Sequence, residues 1–170
     1  MTRYWVSGNS GAGKTTLSAE LARRLGVPHV ELDGLFHLAG WTERETSQFV
    51  ADVQQQTAGD SWVLDGNYRG RLTGQVEADV YVWLDYPRWV TFPRVLRRTV
   101  GRVVTRRPLW NGNRESWRNV IRRDPSQSIL AWSWTQHEPY RALFEGLMDD
   151  RWVRLRHPRE TRAWLATVTR

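Results

Sequence analysis

Near its start the chain carries Gly8-Asn9-Ser10-Gly11-Ala12-Gly13-Lys14-Thr15, which fits the pattern G-x-x-x-x-G-K-[ST] at every position. The flanks narrow the fold further. Tyr4-Trp5-Val6 before it is β-branched and aromatic and reads as a short buried strand. After it, Leu17, Leu21 and Leu25 recur at four-residue spacing, which predicts a helix from Thr15 to Leu25. Gly26 is placed to end that helix, and Pro28 lies just beyond. Strand, glycine loop and helix N-terminus converge backbone N–H groups and the helix dipole on one point, where they favour an anion. Lys14 is the one lysine beside 24 arginines. A compact ammonium can reach between two phosphates where a planar guanidinium fork is too wide.

Charge is unevenly placed along the chain. The 170 residues net +7, yet residues 94–123 hold ten arginines against one acid, Glu115. That segment is therefore +9 and the remainder −2. A local positive field points to a polyanionic ligand at one place. The length suits one domain, residues 1–170, with a sizeable core. With no cysteine there is neither a disulfide framework nor thiol chemistry. The N-terminus shows no signal peptide, and no apolar run approaches a membrane-spanning length, so a cytoplasmic protein is expected.

Four more strands are expected. They are His29–Leu32 ending at Asp33, Trp62–Leu64 ending at Asp65-Gly66, the apolar run Val80–Leu84 ending at Asp85, and Trp152–Leu155. Thr42-Glu43-Arg44-Glu45 has the capping-box pattern and predicts a helix from there to about Thr57. Further helices are expected at 88–104, with Pro93 bending or dividing it, and at 115–123, 126–148 and 159–168, with a loop over 105–115. Strands alternating with helices imply an α/β fold, three layers around a five-stranded parallel sheet.

In such a sheet ligands gather beyond the carboxyl ends of the strands, which draws notice to Asp33, Asp65 and Asp85. Thr15 is expected to give a hydroxyl to Mg²⁺, with Asp65 first and Asp33 second as the carboxylate that orients the metal's waters. Asp85 reads rather as a cap for the helix that follows it. His37 reads as a polar packing residue, and Trp110, Trp132 and Trp134 as core or lid packing, before any functional role.

These segments resemble the nucleoside-monophosphate kinase group of P-loop proteins, adenylate kinase in particular. Asp65-Gly66-Asn67-Tyr68-Arg69 is similar to that family's Asp-Gly-Phe-Pro-Arg and departs from it at Asn67-Tyr68, which leaves the acceptor open. The resemblance implies a three-layer αβα P-loop NTPase fold with a short arginine-rich lid over about 103–117. It implies ATP held by residues Gly8, Asn9, Ser10, Gly11, Ala12, Gly13, Lys14, Thr15 and Thr16. Arg98 and Arg102 would reach its phosphates, and Arg156 and Pro158 would lie against the base. Asp65 would act near Mg²⁺, Arg122 and Arg123 would bridge donor and acceptor phosphates, and Asp33, Asn67, Tyr68, Arg69 and Arg114 would face the acceptor. A narrower resemblance rests on Leu32-Asp33-Gly34-Leu35-Phe36-His37, Trp41-Thr42, Asp65-Gly66-Asn67-Tyr68 and Leu109-Trp110-Asn111-Gly112-Asn113-Arg114-Glu115-Ser116. These look like bacterial adenylate-kinase-related proteins called topology modulation proteins, which suggests an acceptor other than AMP.

Three functions are compatible with these readings. The favoured one is a small-molecule kinase using ATP·Mg²⁺, with Lys14, Asp65, Arg122 and Arg123 as its charge-handling groups and a nucleotide or other small acceptor. If that acceptor is a hydroxyl, Asp33 becomes the candidate base, as an aspartate does in the similar shikimate kinase group. The second is a nucleic-acid binder or a kinase of nucleic-acid ends, suggested by the +9 segment and its tryptophans. The third is a nucleotide-binding switch without transfer.

Overall fold

The computed structural model describes residues 2–117 and 128–168. Five strands, β1 (Arg3–Gly8), β2 (His29–Glu31), β3 (Trp62–Asp65), β4 (Val80–Leu84) and β5 (Trp152–Leu155), form one sheet in the order β2-β3-β1-β4-β5. Every pairing is parallel, with Val6 opposite Asp65 and Gly8 opposite Leu84. The helices are α1 (Lys14–Leu25), α2 (Leu32–Phe36), α3 (Thr46–Gln56), α4 (Arg69–Leu72), α5 (Arg88–Thr105), α6 (Ile129–Thr135), α7 (His137–Leu147) and α8 (Pro158–Thr167). Two 3₁₀ turns lie at Ala39–Trp41 and Trp110–Gly112.

Chain order explains the sheet order. β1 lies in the middle because its last four residues are all buried and both its edges are paired, to β3 and to β4. The chain leaves β1 for one side of the sheet and later crosses to the other. The crevice beyond the ends of β1 and its two neighbours is where an α/β sheet of this order takes ligands.

Each face of the sheet buries its own cluster. One gathers Trp5, Trp62, Leu64, Tyr81, Trp83, Trp152, Phe36, Phe49 and Phe144. The other packs Val6, Val63, Val82 and Leu84 against Leu17, Leu21 and Ala22 of α1 and against Leu155. Adjacent rings share the first face: Tyr81 stacks on Trp152 at 5.2 Å and is tilted against Trp5 at 6.1 Å. Trp5, Trp62, Trp83 and Trp152 are core residues, whereas Trp110 and Trp132 are half-buried and Trp134 is exposed.

Several boundaries differ from the sequence reading. Strand β2 stops at Glu31, because Leu32 and Phe36 are both buried four residues apart and turn the chain into a helix. Asp33 consequently sits in the first turn of α2 instead of at a strand end. Helix α3 starts at Thr46, and its cap is Glu45, whose carboxylate accepts the N–H of Gln48 at 3.1 Å. Glu43 lies before it, bridged to His37 as extended chain, so the capping-box reading began the helix about one turn too early. Pro93 is accommodated within a continuous α5. The helix expected over 126–148 is two within its described part, α6 and α7. The helix expected over 115–123 lies mostly outside the described residues.

Phe49 is fully buried and meets Phe36 at 5.2 Å and Tyr68 at 5.3 Å, so it fastens α3 to the segments beside the crevice. Replacing it by Ala should cost about 3–5 kcal/mol through lost burial and a residual cavity. Denaturant unfolding measures this, and a loss below about 1 kcal/mol would contradict the packing described.

Candidate nucleotide-binding site

The phosphate loop runs from the end of β1 into the N-terminus of α1. Gly8, Gly11 and Gly13 all have positive φ, at 149°, 78° and 94°. Two also face a close neighbour. A Cβ on Gly8 would lie 2.7 Å from the carbonyl oxygen of Leu84, and one on Gly11 would lie 2.5 Å from that of Thr91. Only glycine lets β1, β4 and α5 approach the loop this closely. The first turn of α1 carries no acidic residue, so its positive end is not internally neutralised.

Inside the loop Lys14 Nζ donates to the carbonyl oxygens of Gly8 at 2.9 Å and Asn9 at 3.4 Å. Burial pulls its pKa below the ordinary lysine value, and the fields of Asp33 and Asp65 oppose that pull. The ammonium is thus held by weak carbonyl acceptors inside the loop, where phosphate oxygens would be stronger partners.

Four contacts fix the loop from outside. Asn67 accepts the N–H of Gly8 at 3.0 Å and donates to its carbonyl oxygen at 2.9 Å, so its amide holds the two peptide groups on either side of the Gly8 Cα. Asn9 accepts the N–H of Ser10 at 2.8 Å while its amide nitrogen donates to the Ser133 carbonyl on α6 at 2.9 Å. Arg98, on α5, donates to Ser10 Oγ at 3.0 Å. Burial, then the neighbouring Arg102, lowers its pKa from the usual arginine value.

The carboxylates divide by partner. Asp65 is buried and pairs with His29, Nε2 to Oδ2 3.1 Å, a partner the sequence reading missed. Its signal is the parallel register, which sets β2 beside β3 and can be read only once the strands are paired. Thr15 is exposed at the first turn of α1. Among the described residues no group of three or more acidic, histidine or cysteine side chains could hold a metal by itself. A Mg²⁺ ion would draw on Thr15, Asp65 and the phosphates it accompanies, a sparse oxygen set that suits this ion. Asp85 does not cap α5, whose N-cap residue is Pro87. It accepts Arg154 through both Nε, at 2.9 Å, and Nη2, at 2.6 Å.

On the acceptor side Tyr68 Oη donates to Asp33 Oδ1 at 2.7 Å and lies 3.5 Å from His37 Nε2. Burial and the adjacent Asp33 push the phenol far above its ordinary pKa, so it stays a proton donor. A hairpin around Trp110–Gly112 closes over this corner. Trp110 donates through its indole N–H to Glu31 at 2.9 Å, stacks on His37 at 6.5 Å, and would lie 2.9 Å from a Cβ on Gly34. Asn111 donates to the His37 carbonyl at 2.6 Å, and Asn113 donates to that of Leu38 at 2.8 Å while accepting the Trp41 N–H at 2.9 Å. Asn111 and Asn113 join two segments about 75 residues apart, and no periodicity singles them out.

Several expected site residues are engaged elsewhere. Asn67 is bound to the phosphate loop instead of facing the acceptor. Arg69 lies over the rings of Tyr81 at 4.1 Å, Trp152 at 5.1 Å and Trp5 at 5.5 Å, so cation–π contact draws it onto the sheet face and away from an acceptor phosphate. Arg102 pairs with Glu115 at 3.0 Å, the one acid of the positive segment. Arg114 is exposed on the hairpin, with its carbonyl accepting the indole N–H of Trp41 at 3.2 Å. Arg156 is exposed after β5, and Pro158 opens α8 behind His157, whose ring accepts the Arg159 N–H at 3.1 Å. Arg122 and Arg123 lie outside the described residues.

The sheet order, the glycine loop and the free helix N-terminus define a P-loop nucleotide-binding fold. The comparisons agree. A "Putative adenylate kinase" of Thermococcus onnurineus (strain NA1) is 37% identical over 93 residues, 50% of this chain and 49% of that protein. The chain thus matches about half the length of that curated relative. Among solved structures, a gluconokinase from Sinorhizobium meliloti 1021 superposes with a TM-score of 0.55 at 20% identity, covering 97% of this chain and 91% of that one. A deoxyadenosine kinase from M. mycoides with bound dATP does so with a TM-score of 0.60 at 12% identity, covering 96% and 95%. No family model matches. The fold is like that of these solved structures, and the sequence likeness is to a putative adenylate kinase over half of the chain.

The Asn67 clasp yields a test. Asn67→Ala leaves the Gly8 N–H without its partner and the Gly8 carbonyl with Lys14 alone, so stability should fall by about 1–3 kcal/mol. ATP binding, measured by calorimetry, should weaken with it. Unchanged stability together with unchanged affinity would show that the loop holds its shape without the clasp.

Proposed function

We propose that this protein is a kinase that transfers the γ-phosphoryl group of ATP to a small acceptor. The observation that carries this reading is the half-buried Lys14 ammonium held inside a glycine cradle at the N-terminus of α1, with Arg98 on the loop beside it. The partial match to an adenylate kinase-like sequence and the likeness to two P-loop kinase structures support it.

Phosphoryl transfer asks little covalent chemistry of a protein; it asks for positioning and charge stabilisation. In this reading the loop N–H groups and the end of α1 hold the triphosphate. Lys14 exchanges its two carbonyl contacts for phosphate oxygens, and Arg98 turns from Ser10 to the same charge. Asp65, oriented by His29, and the Thr15 hydroxyl hold Mg²⁺, which supplies neutralisation of the phosphate charge when bound. Arg156 and Pro158 flank the base, Arg122 and Arg123 serve the transferred phosphoryl group, and the hairpin with Arg114 covers the acceptor. Among the described residues no helix is long and apolar enough to cross a membrane.

Lys14→Ala should leave a folded protein that has lost ATP-dependent ADP release. It should also lose the stabilisation by ATP expected of the parent, which is about 2.7 kcal/mol at a hundred times Kd. Thermal unfolding with and without ATP, beside an ADP assay, measures both; retained release would rule out this site. Arg98→Ala should weaken ATP binding about 10–100-fold, the worth of one or two charge-assisted hydrogen bonds, with the fold intact. Calorimetry that finds ATP affinity unchanged would remove Arg98 from the phosphate site.

A further inference from the structure

Helix α5 commits one of its faces to the fold. Thr91, Val95, Thr99 and Val103, each four residues from the last, are buried. Arg98 and Arg102 beside them reach inward to Ser10 and Glu115. On the opposite side Trp89, Pro93, Leu96, Val100 and Val104 recur at three- and four-residue spacing and form a stripe about 22 Å long. Trp89 is 71% exposed, Val104 65% and Leu96 40%. At the N-terminal end of the stripe, exposed Trp134 of α6 meets Phe92 at 5.3 Å and widens it.

Arginines border this stripe. Arg94 and Arg97 are exposed along α5, and Arg106 and Arg107 follow its last turn, also exposed. From Arg88 to Arg114 the chain holds eight arginines and no acid. Among the described residues Arg97, Arg106 and Arg107 have no ion-pair partner. The outer side of α5 is therefore apolar along one row and cationic along the next.

That pairing selects a partner. Nucleic acid would answer the arginines, but Leu96, Val100 and Val104 offer no ring to stack on a base. A second copy would set one arginine row against another. An acidic protein would need a groove shaped to a helix already half embedded in its own fold. The surface of an anionic bilayer meets both rows at once. Apolar side chains enter the acyl boundary, the indole settles at the polar interface, and guanidinium groups lie among the lipid phosphates.

We infer that the outer face of α5 is a membrane-surface contact through which the protein binds reversibly to bilayers carrying anionic lipid. The helix lies in the plane of the surface, and its inner face stays on the phosphate loop, where Gly11 approaches Thr91 and Val95. The inference is independent of the kinase reading.

The test uses the full chain and co-sedimentation with vesicles of phosphatidylcholine, alone or with about one-third phosphatidylserine, at low salt and at roughly 0.5 M. Apparent affinity should be on the order of tenfold higher for the anionic vesicles and should fall with salt. Trp89→Ser combined with Val104→Ser should weaken binding about fivefold or more, and Arg97→Gln combined with Arg107→Gln should do the same. All four positions are exposed, so an unchanged Tm is expected for both proteins. Leu143→Ser, at an exposed position of α7, should leave binding as it was. No binding to anionic vesicles overturns the inference, and a dimer dissociated by the Trp89 and Val104 changes would then assign the face to a second copy. Binding that the arginine changes weaken and the serine changes do not is charge attraction alone, and it also overturns the inference. A duplex oligonucleotide bound more tightly than the anionic vesicles, with the arginine changes weakening it, would assign the face to nucleic acid instead.

Discussion

The backbone N–H and carbonyl of Gly8 are both held by the amide of Asn67, and the rest of the site depends on that clasp. It locks the exit of the central strand to the segment that follows β3, two pieces of chain 59 residues apart. With Gly8 fixed, the loop can climb over Leu84 and Thr91 without a side chain in the way and deliver Lys14 to the start of α1. Asn9 and Arg98 then fasten the loop to α6 and α5. A loop that binds polyanions is crowded with positive potential and repels itself when empty. These neutral amide contacts hold it without cancelling its charge.

Cations are distributed by a similar logic. Of the arginines that sequence alone would place around phosphates, Arg69 packs on aromatic rings and Arg102 pairs with Glu115, while Arg44 and Arg71, outside that set, pair with acids of their own neighbourhood. Arg154 is held by Asp85 and Glu145 beside β4. Lys14 and Arg98 lie at the loop with pKa values lowered by burial, which marks them as desolvated charges in search of better partners.

Two kinds of residue were legible before the fold was known. Gly8, Gly11, Gly13 and Lys14 were legible as a glycine loop leading into a helix because its requirements are local: positive φ, close approach and a helix start fall within eight consecutive residues. The strands β1, β3, β4 and β5 were equally visible as apolar runs between turn signals. Local pattern failed where burial decides. Asp33 moved from a strand end to a helix because Leu32 and Phe36 both found core partners, and Glu45 displaced Thr42 as the cap of α3. The Tyr68–Asp33 contact, the His29–Asp65 pair and the Trp110–Glu31 latch each join segments from 35 to 79 residues apart, beyond the reach of any periodicity.

By itself, then, the sequence determined a parallel α/β sheet with a glycine loop and an anion-seeking helix end, because backbone geometry and burial period are written in neighbouring residues. Only the tertiary structure decided which charges remain to act on a ligand. An arginine or carboxylate looks the same in sequence whether it is paired or not. Its partner is chosen by strand register and helix packing, as when Asn67 turns to Gly8 and Arg69 turns to the rings of Trp5, Tyr81 and Trp152.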